Sequence, residues 1–299
     1  MARAAGGIAS VRQRAEPLAE RLPPLLVAAE QVAATVAQGV HGRRRVGVGE
    51  TFWQYRPYRP GDSRTAIDWR QSARSDHVYV RELEWEAAES VWLWADGSAN
   101  MAYSSDRDLA EKGDRALLIL FALAALLVRA GERVALLGDH RRPSSGRAAL
   151  TQLGNAVLEA GKGDGLPPAP PLPRHCRLVL ISDFLRPSEA LAERIKSHVA
   201  AGVRGHLLQV LDPAEETLPF QGRVRFEAVE GAGELLIGRV EGVREAYVRR
   251  LAAHRAALRD LARQVGWTFA THHTDRPPET ALLALYTALA IKGTRLGFA

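Results

Sequence analysis

"VWLWADGSAN", residues 91–100, decides how the rest of the chain is read. Val91, Trp92, Leu93 and Trp94 form an unbroken apolar run, the composition of a strand covered on both faces. Asp96, Ser98 and Asn100 then place an oxygen-bearing side chain at every second position where that strand leaves its sheet. Such side chains either cap the next helix or hold a ligand. Ser98 or Asn100 can satisfy a helix N-terminus, and an acid such as Asp96 is favourable beside one. All three are hard oxygen donors, suited to Mg²⁺, Ca²⁺ or Mn²⁺ and not to zinc.

Working outward, similar apolar runs occur at 133–137, 177–182, 206–211 and 267–271. Segments with helical spacing lie at about 108–130, 147–160, 187–201, 241–264 and 278–290. Strands separated by helices of this length imply right-handed crossovers, so the expected fold class is α/β. It is a doubly wound, mainly parallel, Rossmann-like sheet with helices on both faces. In such sheets ligands bind beyond the carboxyl ends of the strands. Asp183, which follows the run in "LVLISDF", is a second strand-end acid able to meet Asp96 on one rim.

Two segments break the rhythm. "GRVRFEAVEGAGELLIGRV", 222–240, reads as an inserted β-hairpin around Gly231-Ala232-Gly233. "GLPPAPPLP", 165–173, reads as a stiff connection, with a polyproline ligand as the alternative. Before the α/β region, residues 1–40 are Ala-rich, and Leu25, Leu26, Ala29, Val32, Ala33 and Val36 have the spacing of one amphipathic helix. The domains are expected at 1–40 (helical), 41–88 (rich in Arg and Trp) and 89–299 (α/β).

The 299 residues are 46% apolar and 25% charged, the make-up of a soluble globular protein. The longest apolar run, Ala116–Val128, falls short of the ~20 residues of a membrane span and reads as a buried helix. The N-terminus lacks the apolar core and cleavage site of a secretory signal, so the expected location is cytoplasmic. A single cysteine, Cys176, excludes an internal disulfide. Forty Lys+Arg against 34 Asp+Glu leaves +6, which permits an acidic partner without demanding one.

The most distinctive stretch is residues 47–86. Arg56, Arg59, Arg64, Arg70, Arg74 and Arg81 alternate with Phe52, Trp53, Tyr55, Tyr58, Trp69 and Tyr79. Pro60-Gly61 signals a turn, after which Asp62 can cap a short helical turn running through Asp68. Arginine stacks on aromatic rings and grips carboxylates, which ties such a segment into a folded body. The same composition suits single-stranded nucleic acid, but Asp62, Asp68, Asp76, Glu82, Glu84 and Glu86 offset most of the charge and favour internal pairing.

The D-x-S-x-N sequence of Asp96, Ser98 and Asn100, with Asp183 ending a later strand, resembles the von Willebrand factor A-like domain and its metal-ion-dependent adhesion site. That resemblance implies Mg²⁺ or another divalent cation held by Asp96, Ser98, Asn100 and Asp183. Asn100 stands where the family has a second serine. The family's threonine has no counterpart in "GKGDGLPPAPPLP", 161–173, and Thr151 lies on the wrong side of a helix, so the site is incomplete. The segment around Arg56, Tyr58, Pro60, Gly61, Asp62, Ile67, Asp68, Trp69 and Arg74 resembles the signature of the domain of unknown function family 58. That second resemblance covers roughly 41–290 and implies partnership with a MoxR-type AAA+ ATPase.

The expectation is thus a non-enzymatic adaptor acting with that ATPase in complex assembly or maturation. Phosphotransfer with Asp96 as nucleophile is the enzymatic alternative, and it needs a second acid and a cationic group nearby. His272-His273 beside Asp275 is a weaker metal candidate, since adjacent side chains on a strand point apart, and His175-Cys176 lacks zinc partners. No G-x-x-x-x-G-K-[ST] loop is present, so no ATP hydrolysis by the chain itself is expected.

Overall fold

The computed structural model describes residues 24–37, 51–58, 67–74, 77–84, 90–161, 163–186, 188–227 and 233–290. The chain forms two compact units: Met1–Gly42 together with Glu89–Ala299, and Arg43–Ala88.

In the larger unit five parallel strands make the central sheet: β3 (Ser90–Ala95), β4 (Arg133–Leu136), β5 (Arg177–Ser182), β6 (Arg204–Leu211) and β9 (Thr268–His273), in the order β4-β3-β5-β6-β9. The helices are α1 (24–37), α3 (Lys112–Arg129), α4 (Arg147–Ala160), α5 (Ser188–Ala200), α6 (Pro213–Thr217), α7 (Glu241–Gln264) and α8 (Pro278–Ala290). The runs read as strands are buried as their composition requires; every residue of β5 is covered. Successive side chains leave a strand on opposite faces. Val91, Leu93, Val179, Ile181, Leu208 and Val210 therefore enter one core with α1, α3, α4 and α8. Trp92, Trp94, Leu178, Leu180 and Leu207 enter the other, with α5 and α7. Each large side chain fully buried in this way contributes ~1.5–3 kcal/mol.

α3 is apolar nearly all round, and Ala116 and Ile119–Leu127 are buried, so it lies within the body and not on its surface. It begins four residues later than the expected 108. Ser104 Oγ donates to the carbonyls of Asp106 and Leu109, and Asp106 Oδ1 accepts from the Asp108 amide. These local bonds hold 104–109 in turns that compete with helix. β9 runs two residues beyond the expected 271, which places His272 and His273 inside the strand instead of after it. α1 buries Ala29, Val32, Ala33 and Val36 in the same core as α3. β7 (Val224–Glu227) and β8 (Glu234–Ile237) pair antiparallel as the expected hairpin, apart from the main sheet.

The proline-rich segment is a connection. Leu172 is buried, and Pro168 lies so close to Gly138 that a Cβ there would meet its Cγ at 2.9 Å.

The smaller unit contains β1 (Thr51–Pro57) antiparallel to β2 (Tyr79–Glu84), with the short α2 (Trp69–Ser72) between them. Asp68 precedes α2 in extended conformation and caps it, its Oδ1 accepting from the Gln71 amide at 2.9 Å. Most of the helical turn expected from Asp62 through Asp68 lies outside the described residues; at its end Ile67 makes a β-bridge and Asp68 is extended. Pro60, Gly61 and Asp62 lie outside the described residues.

Candidate functional site

The sheet order puts the first strand of the α/β body, β3, between the next two, β4 and β5. Chain direction across the sheet reverses between β3 and β5, and the carboxyl ends of two such strands open a crevice. Asp96 and Asp183 stand at those ends. β6, the next strand, also ends in an aspartate, Asp212, which the sequence reading passed over. "LDPAEE", 211–216, carried its signal: an acid, then Pro, then Glu three residues on is a helix-start pattern after a buried strand. Asp212 Oδ1 accepts from the Ala214 amide at 2.8 Å, and Glu215 Oε2 accepts from the Asp212 amide at 2.9 Å.

The three aspartates are buried and differently employed. Asp96 Oδ1 accepts from the Ser98 amide at 2.8 Å and Oδ2 from Ser182 Oγ at 2.7 Å. Asp183 Oδ1 accepts from the Leu185 amide at 3.1 Å, and Oδ2 receives the Lys112 ammonium at 2.8 Å. Asp212 Oδ2 accepts from the Ser105 amide at 2.9 Å, which fastens the turn after β3 to the end of β6. Behind them Gln209 Nε2 donates to the Asp183 carbonyl, and Gln209 Oε1 accepts from Arg255 Nε.

Lys112, the first residue of α3, is the group that the sequence did not announce. Its side chain is 1% exposed, and Nζ also reaches Glu215 Oε1 at 2.7 Å. Burial alone would lower its pKa, but the charges of Asp183 and Glu215 and the hydrogen bonds to them raise it above the ordinary value. One ammonium thus serves two carboxylates. Burial raises the Glu215 pKa beyond what Lys112 offsets, which makes Glu215 the surplus acid of the group. Burial, with Asp212 and Glu215 nearby, likewise raises the Tyr103 pKa, and that ring lies 5.7 Å from Lys112 Nζ.

An open cleft of about 250 Å³ lies over this group, lined by Asn100, Tyr103, Lys112, Asp183, Leu185, Arg186 and Glu215. Asn100 is half-buried in the turn Ala99–Met101, which Ser98 precedes without capping it through its side chain. Ser98 Oγ is buried and has no hydrogen-bond partner among the described residues. The loop 163–165 passes over the Asp96–Ser98 turn, a Cβ on Gly163 lying 4.0 Å from the Gly97 nitrogen. It brings glycine there and no hydroxyl. Its one acid, Asp164, is exposed and accepts from the Leu166 amide. Thr151 lies on the exposed face of α4.

A divalent ion at this rim would draw on oxygens of Asp96, Ser98, Asn100 and Asp183, with water completing its shell. Both Asp96 oxygens and both Asp183 oxygens already accept hydrogen bonds, one of them from an ammonium. Ser98 Oγ is the one unengaged oxygen among the buried donors described. Among the described residues no group of three or more His, Cys, Asp or Glu is arranged to hold a metal. What sets this group against Mg²⁺ is the cation it already holds, the Lys112 ammonium on Asp183 Oδ2.

The remaining candidates lie away from this rim. His272 is buried on one face of β9, and burial, with Arg115 nearby, pushes its pKa down to about 4. His273 faces the other way and meets Glu216 at 3.2 Å. Cys176 is buried, and burial pushes its thiol up to about 11, the opposite of a reactive cysteine. In the signature segment, the Tyr58 amide donates to the Val78 carbonyl, Ile67 bridges Val80, and Arg56 pairs through its backbone with Val80. Arg74 is exposed, and Trp69 is 67% exposed.

The profile described as "Protein of unknown function DUF58" matches residues 54–257. Uncharacterized proteins from Mycobacterium bovis and Mycobacterium tuberculosis are 27% identical over 284 residues, covering 87% of this chain and 86% of theirs. Among solved structures, an aerotolerance-related membrane protein from Bacteroides fragilis aligns over 69% of this chain and 100% of its own, at 16% identity and a TM-score of 0.40. The conserved hypothetical protein BatB from Bacteroides thetaiotaomicron aligns over 68% of this chain and 98% of its own, at 13% identity and the same score.

Proposed function

Since the chain belongs to the DUF58 family, we propose that it is a non-enzymatic adaptor whose partner docks at the cleft over the β3 and β5 ends. The observation that carries this reading is the state of the acids there: Asp96, Asp183 and Glu215 are engaged by local hydrogen bonds and by Lys112. The Asp96 carboxylate holds the turn to its own strand end and to Ser182, so it lacks the exposure that a nucleophile needs. The cleft offers shape and a mixed surface instead, with Leu185, 38% exposed, beside Asn100, Tyr103 and Arg186. Leu185 is the apolar contact that such a partner would bury.

A MoxR-type AAA+ ATPase acting in complex assembly or maturation is the partner that the signature segment's resemblance supports, with the cytoplasm as the place of action. No helix among the described residues is long and apolar enough to cross a membrane.

The test is affinity capture of the full chain from lysate of its host, wild type against Leu185→Asp. The expected result is an AAA+ ATPase retained by wild type and lost at least about 10-fold in the variant, for one apolar contact at the centre of an interface. Retention of nucleic acid in place of any ATPase would move the site to the Arg-rich segment.

A further inference from the structure

We propose that Lys112 is the resident cation of this rim, its ammonium standing between the strand-end acids where a divalent ion would otherwise be needed. The inference concerns the site itself and holds whatever docks there.

Four observations converge on it. Lys112 Nζ is 2.8 Å from Asp183 Oδ2 and 2.7 Å from Glu215 Oε1, distances of charge-assisted hydrogen bonds. It is among the largest fully buried side chains in the described body, and lysine is almost never fully buried unless paired. Asp183 Oδ2, an oxygen that a metal here would draw on, carries the ammonium, while Asp183 Oδ1 accepts from the Leu185 amide and Asp96 from the Ser98 amide and Ser182. The loop 163–165 over the Asp96–Ser98 turn contributes no hydroxyl.

An ammonium and a divalent ion also exclude one another here. Both would use Asp183 Oδ2, and two cations a few ångströms apart in a buried setting repel strongly. Swinging the Lys112 side chain aside would leave two largely buried carboxylates without their cation, and the backbone that carries it is held in place. Lys112 is the first residue of α3, its amide is bonded to the Tyr103 carbonyl, and the following Gly113 sits so close to Met101 that a Cβ would meet its carbonyl oxygen at 3.3 Å. The charge is therefore delivered by the fold, at a fixed point, as a covalent part of the chain.

The experiment titrates Mn²⁺ into the full-length protein and reads bound ion by electron paramagnetic resonance and the melting temperature in parallel. Wild type is expected to bind no stoichiometric Mn²⁺ up to about 1 mM and to keep its melting temperature in chelator. Lys112→Ala leaves Asp183 and Glu215 without their cation. It is expected to melt lower in chelator, to bind one Mn²⁺ at least about 100-fold more tightly than wild type, and to recover several degrees of melting temperature through that binding. Adding Asp183→Asn should abolish the gain, and Lys112→Arg, which keeps a cation, should stay blind to Mn²⁺. Lys112→Gln serves should the alanine variant not fold.

One Mn²⁺ bound by wild type and lost in Asp96→Asn would overturn the proposal. So would a folded Lys112→Ala or Lys112→Gln variant that remains as blind to the ion as wild type.

Discussion

Replacing Lys112 by methionine keeps the length of the side chain and removes its charge. Two carboxylates, Asp183 at 5% and Glu215 at 16% side-chain exposure, are then left facing each other without a counter-ion. At an effective dielectric of ~20, each attraction at this separation is roughly 6 kcal/mol before desolvation is subtracted. Breaking a buried pair by removing one partner costs about 3–5 kcal/mol in practice. We expect Lys112→Met to fall in that range at pH 8, measured by urea unfolding followed by circular dichroism. Adding Glu215→Gln should restore about 1–2 kcal/mol, because the surplus acid is then gone.

Acid should also help the single variant. Burial already raises the folded-state pKa of Glu215, and without Lys112 the main force opposing that rise is lost. A carboxyl group whose pKa is higher when folded binds more protons folded than unfolded. Its contribution is complete below the unfolded pKa of ~4.3 and is lost as pH rises through the folded value. The deficit of Lys112→Met should therefore shrink between pH 8 and pH 5. A cost under about 1 kcal/mol, or a deficit that grows on acidification, would refute the reasoning.

Other expectations follow from burial and packing. A Cβ on Gly205 in β6 would fall within the Trp267 ring, whose Nε1 donates to the Val203 carbonyl, so Gly205→Ala should cost about 1–3 kcal/mol in the same unfolding assay. Burial pushes His206 and His272 down to about 4 each. The unfolded chain takes up protons at these histidines near pH 6.5, which the folded chain declines until about pH 4, so both histidines lower stability as pH falls through that window. His272→Gln should flatten the decline by close to one proton, read from the pH dependence of the urea midpoint.

The sheet could be read from the sequence because its strands are buried on both faces, and uninterrupted runs such as "RLVLIS" and "VWLWA" leave little alternative at that length. The helix boundaries were less legible where side chains compete for the backbone, as Ser104 and Asp106 do ahead of α3. Asp96 and Asp183 were found because each closes an apolar run, and the structure brings both to the rim. Asp212 closes one too, in "HLLQVLD", and the helix pattern after it offered a second signal. Lys112 was not legible at all. In "AEKGDRALL" it looks like an ordinary solvated lysine, since nothing local records that Asp183 and Glu215, 71 and 103 residues away, will close around it. The ion-binding expectation rested on residue types, and types do not reveal that their oxygens are already engaged.

That long reach has a consequence for when the cleft exists. Its floor is assembled from the start of α3, the end of β5 and the first turn of α6, segments that meet only after the parallel sheet has closed around its crossovers. Long-range pairings of this kind form late and cooperatively, because the entropy of closing the intervening chain is lost before the contact is gained. A partner that docks on this floor engages the finished body and finds no equivalent surface on a partly folded chain. Its binding energy then adds to the stability of the native state alone.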